Sequence, residues 1–279
     1  MTAAATIETA SGKHRGTENF PVGSWLIRPD LRAHVHAFYN FARAADDVSD
    51  NPLLETSEKI ARLDRFAEVL RGAGGNDVPS AIAMRESLKA TGITPQHCLD
   101  LLKAFKRDAT QLRYKDWPDL MDYCRYSAMP VGRHVLELHD IGRHAWPAND
   151  ELCAALQVIN HIQDCAEDYG ALDRVYIPQN LLAATGGRVE DLASKVSTPG
   201  LRKTFDLMLD QLDRMMLDAC DLPSRVSDAR LKCETSVICM LAKNLIRILR
   251  RRDPLADDVK LGKISVIGAT IFGVARAWL

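Results

Sequence analysis

Strand signals are nearly missing from this 279-residue sequence. It has no clean alternation of apolar and polar residues and no Asn-Gly or Asp-Gly hairpin turn, which argues against sandwich, barrel and βαβ folds. No CxxC pair occurs among the seven cysteines, which excludes the usual zinc and redox motifs. An odd, scattered set of thiols reads as reduced cysteine in a cytoplasmic protein. Charge of one sign is lacking too. Thirty-six Lys+Arg stand against 37 Asp+Glu, a net charge of -1, so the basic footprint of a nucleic-acid binder is absent. The opening MTAAATIETASGKHRG has no apolar core of signal-peptide type. No run reaches the roughly 18 apolar residues of a spanning helix.

What is present is ordinary globular composition, 47% hydrophobic and 26% charged, in a chain long enough to bury a full core. Helical periodicity runs nearly throughout. Leu31, Val35, Phe38, Ala42 and Ala45 step by four and three behind a Pro29-Asp30 start. The same spacing predicts helices over 56–71, 79–90, 95–113, 116–141, 149–170, 199–220, 228–252 and about 258–278. Breakers separate them: Asn51-Pro52, the Gly72-Ala73-Gly74-Gly75 loop, Gly92, Pro147, Gly186-Gly187, Pro199-Gly200, Pro223 and Asp253-Pro254. The expectation is a flexible tail over 1–16 and one all-α domain over 17–279.

Two acidic helices stand out. In Arg43-Ala-Ala-Asp46-Asp47-Val-Ser-Asp50, Asp46 and Asp50 share a face one turn apart. Tyr39 and Arg43 extend that stripe. Like charges at this spacing are mildly unfavourable on an isolated helix, and the macrodipole disfavours anions at its C-terminal end. The plain reading is a solvated helix end before a turn. In Gln157-Val-Ile-Asn160-His-Ile-Gln163-Asp164-Cys-Ala-Glu-Asp168, Asp164 and Asp168 repeat the pattern, and Asn160 and Gln157 continue the stripe. Ile159, Ile162 and Cys165 between them point to a largely buried helix. The plain reading there is a hydrogen-bonded polar layer in a bundle core. Taken together, four carboxylates on two helices facing one cavity would repel one another without cations. Hard oxygen ligands select Mg²⁺, which keeps waters and shares phosphate oxygens with substrate. The implied ligand is a diphosphate that departs with metal assistance.

These residues resemble the squalene/phytoene synthases, head-to-head prenyl transferases with the all-α isoprenoid synthase fold, a helical bundle around a central cavity. The resemblance spans about 17–265. Tyr39-Asn-Phe-Ala-Arg43-Ala-Ala-Asp46-Asp47-Val-Ser-Asp50 is similar to the first aspartate motif. Gln157-x-x-Asn160-x-x-Gln163-Asp164-x-x-x-Asp168, followed by Arg174-Val-Tyr176-Ile-Pro178, is similar to the second. Tyr123-Cys-Arg-Tyr126-Ser-Ala-Met-Pro130-Val-Gly132-Arg133 resembles the segment between them. Several positions depart from the common pattern. Glu18-Asn19-Phe20-Pro21-Val22-Gly23-Ser24 replaces a His-x-Ser-x-Phe-like segment, and Ala128-Met129 replaces Ala-Gly. Gln163 stands where Arg is frequent, and Leu245 where some relatives have Tyr. The first two departures and the Gly132-Arg133 pair are similar to bacterial hydroxysqualene synthases of hopanoid biosynthesis.

That resemblance implies a lyase acting on presqualene diphosphate. Ionisation, rearrangement and capture of water would give hydroxysqualene. It assigns Asp46, Asp50, Asn160, Asp164 and Asp168 to several Mg²⁺ ions, with Asp47 a weaker candidate because it points about 100° from Asp46. Arg43 and Arg174 would grip diphosphate oxygens, for which the guanidinium fork is suited, or else form surface ion pairs. Asn19, Phe20, Tyr39, Tyr123 and Gln157 are substrate-binding candidates. Tyr126 is the aromatic expected to steady a carbocation, aimed by a kink at Pro130; the plain reading of each aromatic is core. NADPH is not expected. The alternatives are a presqualene diphosphate, squalene or phytoene synthase joining two prenyl diphosphates, and a catalytically dead assembly factor.

His161 reads as a packing or hydrogen-bonded residue. Arg247, Arg250, Arg251 and Arg252 read as a solvated face or as a contact for anionic lipid. The apolar C-terminal stretch is expected to pack on the bundle, with contact at the inner membrane face as the alternative. Upstream and downstream pathway enzymes complete the expected partners.

Overall fold

The computed structural model describes residues 6–8 and 26–277. Its α-helices are α1 (Arg32–Asp50), α2 (Thr56–Leu70), α3 (Pro79–Thr91), α4 (Gln96–Asp108), α5 (Trp117–Ser127), α6 (Met129–Leu138), α7 (Trp146–Gln163), α8 (Cys165–Leu172), α9 (Gln179–Thr185), α10 (Pro199–Ala219), the single turn α11 (Leu222–Arg225), α12 (Ala229–Leu249) and α13 (Lys263–Arg276). No strand occurs among the described residues; one isolated parallel bridge joins Arg113 to Val175.

Sequence punctuation sets several of these boundaries. Pro79 opens α3, and Gly92 closes it at φ 72°, a left-handed cap that suits glycine. Thr198 and Asp228 accept the Leu201 and Leu231 amides, capping α10 and α12. Asp116 caps α5 by accepting the Asp119 amide at 3.0 Å.

Four expectations are corrected. The predicted helix 95–113 stops at Asp108, because residues 112–115 leave to pair with 175–180. The Val175 amide donates to Leu112 and the Gln179 amide to Tyr114, each at 2.9 Å. The predicted helix 116–141 breaks at Ala128, at φ -113°. Pro130 explains the break: it has no N–H to continue the ladder, and its ring clashes with the carbonyl four residues back. The predicted helix 149–170 breaks at Asp164, which opens to φ -98° and ψ 7° between α7 and α8. The last helix starts at Lys263 rather than near 258.

The chain divides into two compact units. The first comprises residues 1–111 and 130–140. Its core joins Phe38, Phe41, Ala45 and Val48 of α1 to Leu63, Phe66 and Val69 of α2, Met84 of α3, and Cys98, Leu101 and Leu102 of α4. Phe41 and Phe66 meet edge to face at 5.9 Å. Residues 6–8 of the predicted tail are fastened here. The Ile7 amide donates to the Asp77 carbonyl at 3.1 Å, and Glu8 accepts the Ser80 amide at 2.8 Å. Glu8 thereby caps α3, whose own preceding residue offers no side-chain cap.

The second unit comprises residues 112–129 and 141–279. Here α7, α10 and α12 pack together over Leu152, Ile159, Phe205, Met208, Leu212, Leu241 and Leu245. The C-terminal helix α13 packs on α12, as expected. A Cβ on Gly273 would lie 2.7 Å from the Val237 Cα, so the two helices touch through their backbones. No helix of the described residues is long and apolar enough to cross a membrane.

Candidate functional site

In the first unit the acidic stretch occupies the last turns of α1. Val35, Phe38, Phe41, Ala45 and Val48 anchor the helix in the core. Tyr39, Arg43, Asp46 and Asp50 are left half-buried. Arg43 Nε and Nη2 donate to Asp47 Oδ1 at 2.8 and 2.6 Å, and Nη1 reaches Asp46 at 3.0 Å. Asp47 is buried, at 9% exposure. One guanidinium therefore bridges both carboxylates, offsetting their repulsion and the unfavourable dipole. Ser49 ties the same turn to α4 by donating to the Phe105 carbonyl at 3.0 Å.

In the second unit Asp164 is exposed at the α7–α8 break, and Asp168 is half-buried on α8. The break leaves the hydrogen-bond ladder intact: the Asp164 amide donates to Asn160 at 2.9 Å and the Asp168 amide to Asp164 at 2.8 Å. Asn160, Asp164 and Asp168 therefore still follow one another turn by turn. Arg174 is buried and donates its amide to the Asp168 carbonyl at 3.1 Å. The turn before it places Asp173 at φ 51°, held by Arg113 Nη2 at 2.5 Å. The extended pairing of residues 112–115 thus fixes where Arg174 emerges.

A layer of rings lies beneath this stretch. Tyr114, Tyr123 and Tyr176 pack with centroids 5.2 to 5.4 Å apart. His161 stacks on Tyr176 at 3.6 Å with the planes 12° apart, and its Nε2 meets Gln157 Nε2 at 3.1 Å. Burial, with the Arg174 charge adding, pushes the His161 pKa down to about 3. His161 is therefore the packed, hydrogen-bonded residue its position suggested. Burial also raises the Cys165 thiol to about 12, which keeps it inert. Tyr126 is half-buried on α5, two residues before the helix break.

Sequence reading named Tyr123 but missed Tyr114 and Tyr176 as its ring partners. Tyr176 stood inside the quoted motif, whereas only the tertiary pairing recruits Tyr114. Gln163, on the stretch next to Asp164, turns elsewhere and donates to the Val259 carbonyl at 2.5 Å. Asn19, Phe20 and the whole Glu18–Ser24 segment lie outside the described residues. The basic cluster is partly spent on structure: Arg250 pairs with Asp210 at 2.8 Å and Asp213 at 2.5 Å.

Asp46, Asp50, Asn160, Asp164 and Asp168 offer oxygens to a cation, the chemistry Mg²⁺ selects. Among the described residues no three His, Cys, Asp or Glu side chains are arranged to hold a metal ion by themselves.

Residues 13–265 match the family model described as squalene/phytoene synthase. The chain belongs to the squalene/phytoene synthase family. Members of this family are prenyl diphosphate synthases that typically use Mg²⁺. The chain is 44% identical to a hydroxysqualene synthase of Rhodopseudomonas palustris over 97% of this chain and 91% of that protein. It is 41% identical to a hydroxysqualene synthase of Zymomonas mobilis over 95% and 90%. Among solved structures, a squalene synthase from Alicyclobacillus acidocaldarius superposes with a TM-score of 0.75 at 31% identity, covering 85% of this chain and 90% of that one. A dehydrosqualene synthase superposes at 0.80 over 93% and 92%, and at 19% identity that likeness bears on the fold alone.

Proposed function

We propose that this protein is a hydroxysqualene synthase, converting presqualene diphosphate and water to hydroxysqualene and diphosphate, with residues 17–279 as the synthase domain. The observation that carries this reading is the 41–44% identity to hydroxysqualene synthases over nearly the whole chain. The motifs agree with it: both acidic stretches keep all four carboxylates, which disfavours a dead assembly factor.

In this reading Asp46 and Asp50 hold Mg²⁺, and so do Asn160, Asp164 and Asp168. When bound, several such ions neutralise the charge that develops on the leaving diphosphate. Arg43 and Arg174 bind diphosphate oxygens. The ion pairs to Asp46 and Asp47 fix the Arg43 guanidinium in one orientation, which lowers the ordering cost of that contact. Tyr39, Tyr123, Asn19, Phe20 and Gln157 contact substrate. Tyr126 offers a ring face to the carbocation that ionisation leaves, and one water reaches the rearranged cation to form the new C–O bond. That water also leaves its second proton to solvent or diphosphate. No hydride is transferred, so NADPH is not needed. The cytoplasm, with peripheral contact at the membrane face, suits so apolar a product.

The likeness to a solved squalene synthase at 31% identity favours one second reading, a reductive synthase acting on farnesyl diphosphate. Product analysis with purified protein and Mg²⁺ separates the two. Hydroxysqualene is expected from presqualene diphosphate without NADPH. Consumption of farnesyl diphosphate, or squalene formed only with NADPH, overturns the first reading.

A further inference from the structure

The contact between Gln157 and His161 has a polarity. Gln157 Nε2 is a donor only, and it stands 3.1 Å from His161 Nε2. For the two nitrogens to bond, the imidazole must accept at Nε2 and carry its proton on Nδ1. Such a ring is neutral. Its place is fixed independently by the parallel stack on Tyr176 at 3.6 Å, and Tyr176 is in turn held by Tyr114 and Tyr123. The acceptor is therefore set in a rigid ring layer, not on a mobile side chain.

We infer that His161 is a positioning residue. It orients the Gln157 amide so that Nε2 faces the ring layer and the carbonyl oxygen is turned away from it, as a hydrogen-bond acceptor on the stripe that continues to Asn160 and Asp164. An acceptor there suits the water shell of a bound cation; a donor would oppose it. A freely turning amide would present either end, and each diphosphate binding event would then have to select the right one. The same ring, through Tyr176, sets the extended segment that carries Arg174 two residues earlier. His161 thus links the polar stripe of α7 to the arginine beyond α8. The geometry stands by itself, but its consequence for catalysis rests on the function proposed above.

Two measurements on the full chain test this. Nitrogen-15 spectra of the histidines read the tautomer directly. His161 is expected to show a protonated Nδ1 and a bare Nε2, with the Nε2 signal shifting in Gln157→Leu; a proton on Nε2 means that the amide is reversed and overturns the inference. The kinetic arm uses His161→Phe, which keeps the stacked ring and loses the acceptor. With presqualene diphosphate and Mg²⁺, His161→Phe and Gln157→Leu should each raise KM roughly tenfold, the size of one lost hydrogen bond. The double variant should be no worse than either single one, because both remove the same contact. Unchanged KM in His161→Phe, or effects that multiply, overturns the inference. A purely packing role would lower the melting temperature and the active fraction while leaving KM in place. Failure of the wild-type protein to turn over presqualene diphosphate would instead overturn the proposed function, and the tautomer measurement would still decide the geometry.

Discussion

Arg43 closes on Asp47 one helical turn further along α1, with Nε and Nη2 both donating to Asp47 Oδ1 at 2.8 and 2.6 Å. The pair is mostly shielded from water, with side-chain exposures of 17% and 8%. Removing one partner therefore strands a charge. Asp47→Ala is expected to cost roughly 1–3 kcal/mol of stability, measured by urea unfolding. Arg43→Lys keeps the charge but loses the fork; it should unfold nearly as wild type and lose at least about tenfold in kcat/KM, the cost of a lost charge-assisted bond. Arg43→Lys with wild-type kinetics would remove Arg43 from the diphosphate contacts.

Asp164 has the opposite surroundings. It is exposed at the α7–α8 break, so Asp164→Asn should shift stability by less than about 0.5 kcal/mol. Activity should fall about a hundredfold or more, as expected when a ligand to the catalytic cation is lost, and the Mg²⁺ concentration giving half-maximal rate should rise. A Mg²⁺ titration of the variant's turnover checks this. Lost activity with an unchanged Mg²⁺ midpoint would assign Asp164 a role other than metal binding.

Acid should unfold this protein through its buried histidines. His134, stacked on Phe38 at 4.2 Å, is pushed from 6.5 down to about 3 by burial, with His97 and His34 adding. His161 is depressed to the same extent. The unfolded chain binds protons below pH 6.5 that the folded chain refuses, so stability is complete above that value and falls as pH drops towards 3. The slope should approach about 1.4 kcal/mol per pH unit for each histidine. Urea midpoints between pH 7 and 4 measure it. His134→Phe should flatten the profile, and an unchanged slope in that variant would locate the acid sensitivity elsewhere.

The α12–α13 contact is tight enough to test with one carbon atom. Gly273→Ala places a Cβ against the Val237 backbone, 2.7 Å from its Cα and 2.9 Å from its amide nitrogen. The helices must separate, at a cost of about 1–3 kcal/mol. A melting temperature equal to wild type would show that α13 is not held on α12 in solution.

Much of this was legible in the sequence because the signals are local. Apolar residues at helical spacing drew α1, α2, α4 and α10, and Pro79, Gly92, Thr198 and Asp228 fixed ends through backbone rules that hold anywhere. The acidic residues at i,i+4 were equally plain, since spacing alone puts them on one face. What the sequence did not contain was the competition between local preference and distant partners. Residues 109–113 have helical periodicity, yet the carbonyls of Leu112, Tyr114 and Lys115 accept the amides of Val175, Gln179 and Asn180 instead of continuing α4. Asp164 lies inside a helical pattern and still opens the chain, while handing on the hydrogen-bond ladder. Tyr114 joins Tyr123 and Tyr176 only because that long-range pairing carries it there. The sequence by itself determined that the chain is helical, where its carboxylates are and what ion they suit, because these depend on residues a turn apart. Tertiary structure alone decided what His161 stacks on and how Arg113 holds the turn before Arg174, because those contacts join segments that only packing brings together.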